Sequence, residues 1–197
     1  ALGLILARLF VRLREVPVRG TGWATILPKP SELPPLDLVD QDNRPLPRDF
    51  LRNRWTVVFF GFTQCPDVCP TTLATLARMK KKLADLPAEQ QPRVLLVSVD
   101  PERDTAAILK PYVSFFDPSF LGATGTLAAT GQAARAFSVP FAKVPLPDGG
   151  YTMDHGAGLF VVSPAGALAA YSSPPLDATV LARDFRKVVQ YFEASHR

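Results

Sequence analysis

The chain has 197 residues, 47% of them hydrophobic, and a net charge of +4. That suits one domain with a sizeable core and a tail, and it is too apolar for a disordered chain. Two cysteines are too few for a disulfide framework. The basic runs at residues 8–19 and 80–82 lack the interleaved aromatics of a nucleic-acid stacking platform.

Residues 1–11 (ALGLILARLFV) are apolar apart from Arg8. As a helix they cover roughly 17 Å, against about 30 Å of bilayer hydrocarbon, so this stretch alone does not span a membrane. Residues 1–22 read as the remnant of a membrane anchor or as a short amphipathic segment. Residues 23–35 contain ILPKPSELPP, four prolines in ten residues. This composition predicts a stiff, extended linker and places the domain at 36–194.

Alternation at Leu36 and Leu38, followed by the turn chemistry of Asp42 and Asn43, predicts an N-terminal hairpin. WTVVFFGF (55–62) is a β-branched and aromatic run that predicts a central strand buried on both faces. PTTLATLARMKKKLADL predicts a helix with Leu73, Leu76, Met79 and Leu83 on one side. RVLLVSVD (93–100) predicts a second buried strand. DTAAILKPYVSFF is a helix that Pro111 should kink or restart. FLGATG reads as a short strand or turn, and TLAATGQAARAF as a small-residue helix weakened by Gly131. FAKVPLPDGGYTMDH reads as a loop around a Pro-Asp-Gly-Gly turn. LFVVSPAGALAAYSS is a hairpin, and an amphipathic helix with Asp177 as its N-cap closes the chain. Strands that alternate with helices before a final antiparallel hairpin predict an α/β fold: a mixed sheet flanked by helices on both faces. In such sheets, sites form beyond the carboxyl ends of the strands.

That edge is where FTQCPDVCPTT (62–72) falls, and it holds both cysteines. Cys65 precedes Pro66 and Cys69 precedes Pro70, which biases both cysteines away from the α region. Pro70 then reads as the first helical residue with Cys69 as N-cap. Both sulfurs would sit at the positive end of a helix dipole, as accessible groups with thiolate character. A structural disulfide would close a tiny loop already stiffened by proline. A redox dithiol is a second reading, although the C-x-x-x-C spacing is not the usual C-x-x-C. A peroxidase would need an Arg and a Thr beside the thiolate; Thr63 is near in sequence and no Arg is.

A metal site is the third reading and needs another ligand. Of the two histidines, His196 is penultimate and reads as inert. His155 stands in GGYTMDHGAG, where small residues leave room for close approach, although a lone histidine is more often structural. Two thiolates and one imidazole suit trigonal Cu(I), because soft donors select copper. Zinc would want a fourth ligand, which Asp154 could supply. Asp154 could instead accept a hydrogen bond from the imidazole. Met153 is a candidate soft ligand that reads better as core.

FFGFTQCPDVCPTTL, VSVDPERDT and MDHGAGLFVV, in that order, resemble the three blocks of the SCO/SenC family of copper proteins. The resemblance runs from about Leu36 to Phe192. It implies a thioredoxin-like fold preceded by a membrane anchor, and a site for Cu(I) and Cu(II) formed by Cys65, Cys69 and His155. It implies a copper metallochaperone role in assembling the CuA centre of cytochrome c oxidase, with the CuA-bearing subunit and a copper donor chaperone as partners. In bacteria it places the domain on the periplasmic side of the inner membrane. It leaves open a thiol-disulfide oxidoreductase working through Cys65 and Cys69, and a redox or copper sensor. Asp67, between the cysteines, is expected to tune the site or touch a partner. Asp104 or Thr105 is expected to cap the next helix, with no chemistry assigned to residues 100–105. Gly156 stands where the family often has Ser or Thr, which predicts a looser histidine loop.

Overall fold

The structure is a computed structural model and describes residues 24–147 and 149–194. The anchor segment at 1–22 and His196 lie outside the described residues. In chain order the elements are β1 (Ala24–Glu32), β2 (Val39–Asp40), β3 (Thr56–Gly61), α1 (Val68–Lys82), β4 (Arg93–Ser98), α2 (Ala106–Phe116), β5 (Leu121–Thr124), α3 (Leu127–Ala136), β6 (Phe141–Pro145), β7 (Tyr151–His155), β8 (Leu159–Val162), β9 (Ala167–Ser172) and α4 (Ala178–Ala194). A seven-stranded sheet runs β1-β9-β8-β3-β4-β5-β2, and β6 and β7 form a separate two-stranded ladder.

Strand β3 is buried at every position, as a strand covered on both faces requires. It pairs in parallel with β4, and β4 with β5. On its other side β3 is antiparallel to β8, which forms the expected hairpin with β9. The register places Phe59 beside Leu96 and Leu96 beside Gly122, so these residues share a face. Leu109 and Val113 of α2 stand against Gly122. On the same face Trp55 meets Phe185 and Phe192 of α4, edge to face. Phe60 points to the opposite face and meets Phe137, which follows α3. Helices therefore cover both faces, as expected.

Several expectations change. The proline-rich stretch at 23–35 is not a free linker, because β1 pairs antiparallel with β9. Proline is tolerated there because β1 is an edge strand, and the register slips between Ile26 and Ser31, the span that holds Pro28 and Pro30. The N-terminal hairpin is rudimentary. Val39 bridges to Pro45, while β2 joins the main sheet beside β5. Helix α2 runs unbroken through Pro111; Leu109 and Val113 are both fully buried, so core packing holds the helix on either side of the proline. FLGATG contains the strand β5. The expected loop at 141–155 is instead the β6–β7 ladder, with Phe141 opposite His155. Asp177 caps α4 as expected, accepting from the Thr179 and Val180 amides at 2.8 and 2.9 Å.

Candidate metal centre

The cysteine loop leaves the carboxyl end of β3. Because β8 runs antiparallel to β3, with Phe59 opposite Leu159, the residues just before β8 arrive at the same end of the sheet. This register brings His155 to the cysteines across 86 residues of sequence. The Cys69 Sγ lies 3.7 Å from His155 Nε2. The Cys69 amide donates to Cys65 Sγ at 3.3 Å. Both cysteines are free thiols.

Helix α1 begins earlier than expected. Asp67 is the N-cap and Cys69 lies inside the first turn. Pro70 is still tolerated, because the first four helical N–H groups have no intrahelical partner. The Asp67 carboxylate caps no backbone amide; it accepts from the Thr71 hydroxyl at 3.3 Å. Cys65 is partly exposed, whereas Cys69 is wholly buried. The expectation of two accessible thiolates therefore fails for Cys69, whose thiol pKa is pushed far up, chiefly by burial. Desolvation outweighs a helix-end effect worth about 0.3–1 kcal/mol. Gly61 makes this packing possible: a Cβ there would lie 3.0 Å from Cys69 Sγ and 2.8 Å from the Phe59 ring.

The imidazole is held from several sides. Its Nδ1 lies 3.1 Å from the Gly156 carbonyl. With the proton on Nδ1 this is a donated hydrogen bond, and it leaves the Nε2 lone pair facing the sulfur. The rings of Phe59 and Phe62 stand edge-on to it, with centroids 6.3 and 5.8 Å away. Asp154 does not take the Nδ1 bond; the Gly156 carbonyl does. Asp154 is exposed, and neighbours on a strand point to opposite faces. Met153 is buried in the core. Gly156 does not loosen the histidine, because its amide donates to the Pro140 carbonyl at 3.1 Å.

The block at residues 100–105, expected only to turn and cap, braces the site. Thr105 is the N-cap of α2 but its side chain makes no cap bond. The buried Asp104 instead accepts from the Thr63 amide (3.0 Å), the Thr63 hydroxyl (2.5 Å) and the Ser98 hydroxyl (2.7 Å). An arginine does reach the cysteine loop in space: Arg103 Nη1 donates to Gln64 Oε1 at 2.9 Å. Sequence reasoning missed the parts that Gly61, Asp104 and Arg103 play at this site. The parallel register of β3 and β4, which makes the two following loops adjoin, is visible only in the structure.

The donor set suits a soft, thiophilic ion. With a metal–sulfur distance of about 2.3 Å and a metal–nitrogen distance of about 2.0 Å, a trigonal ion separates the two donors by about 3.7 Å. The Cys69–His155 pair stands at 3.7 Å. Among the described residues no three such side chains are already gathered to hold an ion.

The SCO1/SenC family model matches residues 26–190. A protein of Stutzerimonas stutzeri named for copper binding is 38% identical over 160 residues, 80% of this chain and 77% of that one. The mitochondrial SCO2 homolog of Bos taurus is 32% identical over 158 residues, 80% of this chain and 59% of its own. The chain thus spans about three fifths of that mitochondrial relative. Among solved structures, copper-bound ScoI of Arabidopsis thaliana superposes with a TM-score of 0.74 at 29% identity, covering 83% of this chain and 98% of its own. Apo Sco1 of Thermus thermophilus gives 0.75 at 34% identity, covering 87% and 99%.

Proposed function

Because the chain belongs to the SCO1/SenC family, we propose that it binds copper through Cys65, Cys69 and His155 and passes it on during assembly of the CuA centre of cytochrome c oxidase. The observation that carries this reading is the 3.7 Å approach of Cys69 Sγ to His155 Nε2. A dithiol enzyme has no need of an imidazole there. The copper-bound state of a solved relative supports the choice of ion. Copper is cargo in this reading. The two sulfurs hold the monovalent ion, and the imidazole supplies a nitrogen donor that also suits the divalent one. The CuA-bearing subunit and a copper donor are the partners, with the domain on the periplasmic side of a bacterial inner membrane. Among the described residues no helix is long and apolar enough to cross a membrane.

A second reading, thiol-disulfide exchange that prepares the cysteines of the CuA site, draws on the exposure gradient between the two thiols. On this reading the partly exposed Cys65 attacks a partner disulfide and the buried Cys69 resolves the mixed disulfide. Anaerobic Cu(I) titration of the reduced protein and of His155→Ala separates the two. The copper reading expects the substitution, which removes a ligand itself, to weaken binding by at least the about 10- to 100-fold that losing a ligand's hydrogen-bond partner costs. Unchanged stoichiometry and affinity would leave only the exchange reading.

A further inference from the structure

Copper binding by two thiols and an imidazole gives Arg103 no task, yet Arg103 joins the two halves of the site. Its Nε pairs with Asp100 at 2.5 Å. Its Nη1 donates to Gln64 Oε1 at 2.9 Å and to the Tyr151 carbonyl at 3.0 Å. The guanidinium lies 3.7 Å from the centre of the Tyr151 ring, and the Tyr151 hydroxyl donates to Asp100 at 3.0 Å. Gln64 immediately precedes Cys65, and Tyr151 opens the strand that ends at His155. From the paired strand, Lys143 sits over the same ring at 3.9 Å and bonds Glu102 at 2.7 Å.

The β6–β7 ladder is not hydrogen-bonded into the seven-stranded sheet, so once the β8 register has brought its histidine to this end of the sheet, side-chain contacts refine where it stands. We propose that Arg103 is a positioning residue for His155: one guanidinium ties the cysteine loop to the hairpin and fixes the reach of Nε2 towards the sulfurs. The inference rests on the three-ligand copper reading. Geometry makes arginine specific here. A planar fork serves a carboxylate, an amide oxygen and a backbone carbonyl while stacking on a ring, and an ammonium cannot. Asp100 is 2% exposed, so this ion pair is not the screened surface kind.

The test is a cycle on the full, reduced chain. Cu(I) affinity is measured by chelator competition for Arg103→Gln and Arg103→Lys, each in the wild-type and the His155→Ala background. Amide exchange of the copper-free protein is followed alongside. Arg103→Gln is expected to weaken Cu(I) binding about 10- to 100-fold with His155 present, and less than about 3-fold without it. Lysine should not rescue. Exchange should quicken at residues 151–155 and stay unchanged in β3. Equal losses in both backgrounds, no loss with His155 present, or full rescue by lysine would each overturn the proposal. If His155→Ala alone changes nothing, the three-ligand reading fails first. If it weakens binding while Arg103→Gln does not, only the positioning role falls. Should the Arg103 variants not fold, Gln64→Leu cuts the link at an exposed residue, and its loss must likewise vanish in the His155→Ala background.

Discussion

The two walls of the site are built differently. The cysteine wall grows from the core: Cys69 is fully buried, the strand before it is buried at all six positions, and Asp104 clamps the intervening Thr63. The histidine wall is a hairpin outside the main sheet, with four of the five β6 residues exposed. Side-chain contacts to Arg103, Glu102, Phe59 and Phe62 dock it. A change at a buried position of the cysteine wall should therefore cost fold stability as well as metal, whereas a change on the histidine side should cost metal alone.

The largest expected effect breaks the site outright. Cys65→Ala and Cys69→Ala should each lower Cu(I) affinity by on the order of a thousand-fold or more, since one thiolate and an imidazole make a poor Cu(I) site. Their stabilities should differ. Cys69→Ala leaves a small cavity in the core, worth about 1–2 kcal/mol. Cys65→Ala, at a partly exposed position, should stay within about 0.5 kcal/mol. Equal denaturant midpoints for the two variants would contradict the difference in burial between the two cysteines.

Glycine substitutions sharpen the contrast between the walls. Gly61→Ala forces a Cβ to 2.8 Å from Phe59 and 3.0 Å from Cys69 Sγ, and should cost about 1–3 kcal/mol. At Gly156 the nearest atom to a Cβ is Val139 Cγ1 at 3.5 Å, an ordinary contact. Gly156→Ala should therefore change stability by less than about 0.5 kcal/mol. Urea unfolding of both variants decides the matter, and a costlier Gly156→Ala would reverse the assignment of rigid and tolerant walls. In the copper-free protein, alkylation should reach the partly exposed Cys65 at least about ten times faster than the buried Cys69. Mass spectrometry of partly labelled chain reads this, and equal labelling contradicts the burial gradient.

The smallest effect is a slope. Burial raises the Asp104 pKa above the ordinary 3.8, despite the opposing hydrogen bonds from Thr63 and Ser98. The folded chain then holds this proton more tightly than the unfolded chain does. The contribution of Asp104 to stability is full below the ordinary value and is lost as pH rises through the raised one. Asp104→Asn removes that titration, so its stability should fall less than wild type from pH 4 upward. Parallel stability–pH curves for the two proteins would show that Asp104 does not titrate with folding.

Much of this molecule was legible in the sequence. The β3 and β4 runs, the apolar face of α1, the β8–β9 hairpin and the Asp177 cap are local patterns of side-chain period and turn chemistry. Cys65, Cys69 and His155 stood out as candidates because thiols and imidazoles are scarce in this chain. Proline misled in three places, since its local preferences predict breaks at β1, α2 and β6. An edge position in β1, buried neighbours in α2 and cross-strand pairing in β6 overrode those preferences. The early start of α1 and the burial of Cys69 were equally hidden, because exposure depends on what packs above a residue.

The sequence by itself determined which side chains have metal-binding chemistry and which strand delivers the cysteines, because donor type and hydrophobic period are properties of the chain. Only the tertiary structure decided that His155 meets Cys69, that Gly156 rather than Asp154 takes the imidazole N–H, and that residues 100–105 brace the site. Those outcomes depend on the antiparallel register of β8 against β3 and the parallel register of β4, which bring to one edge of the sheet residues that no local pattern links.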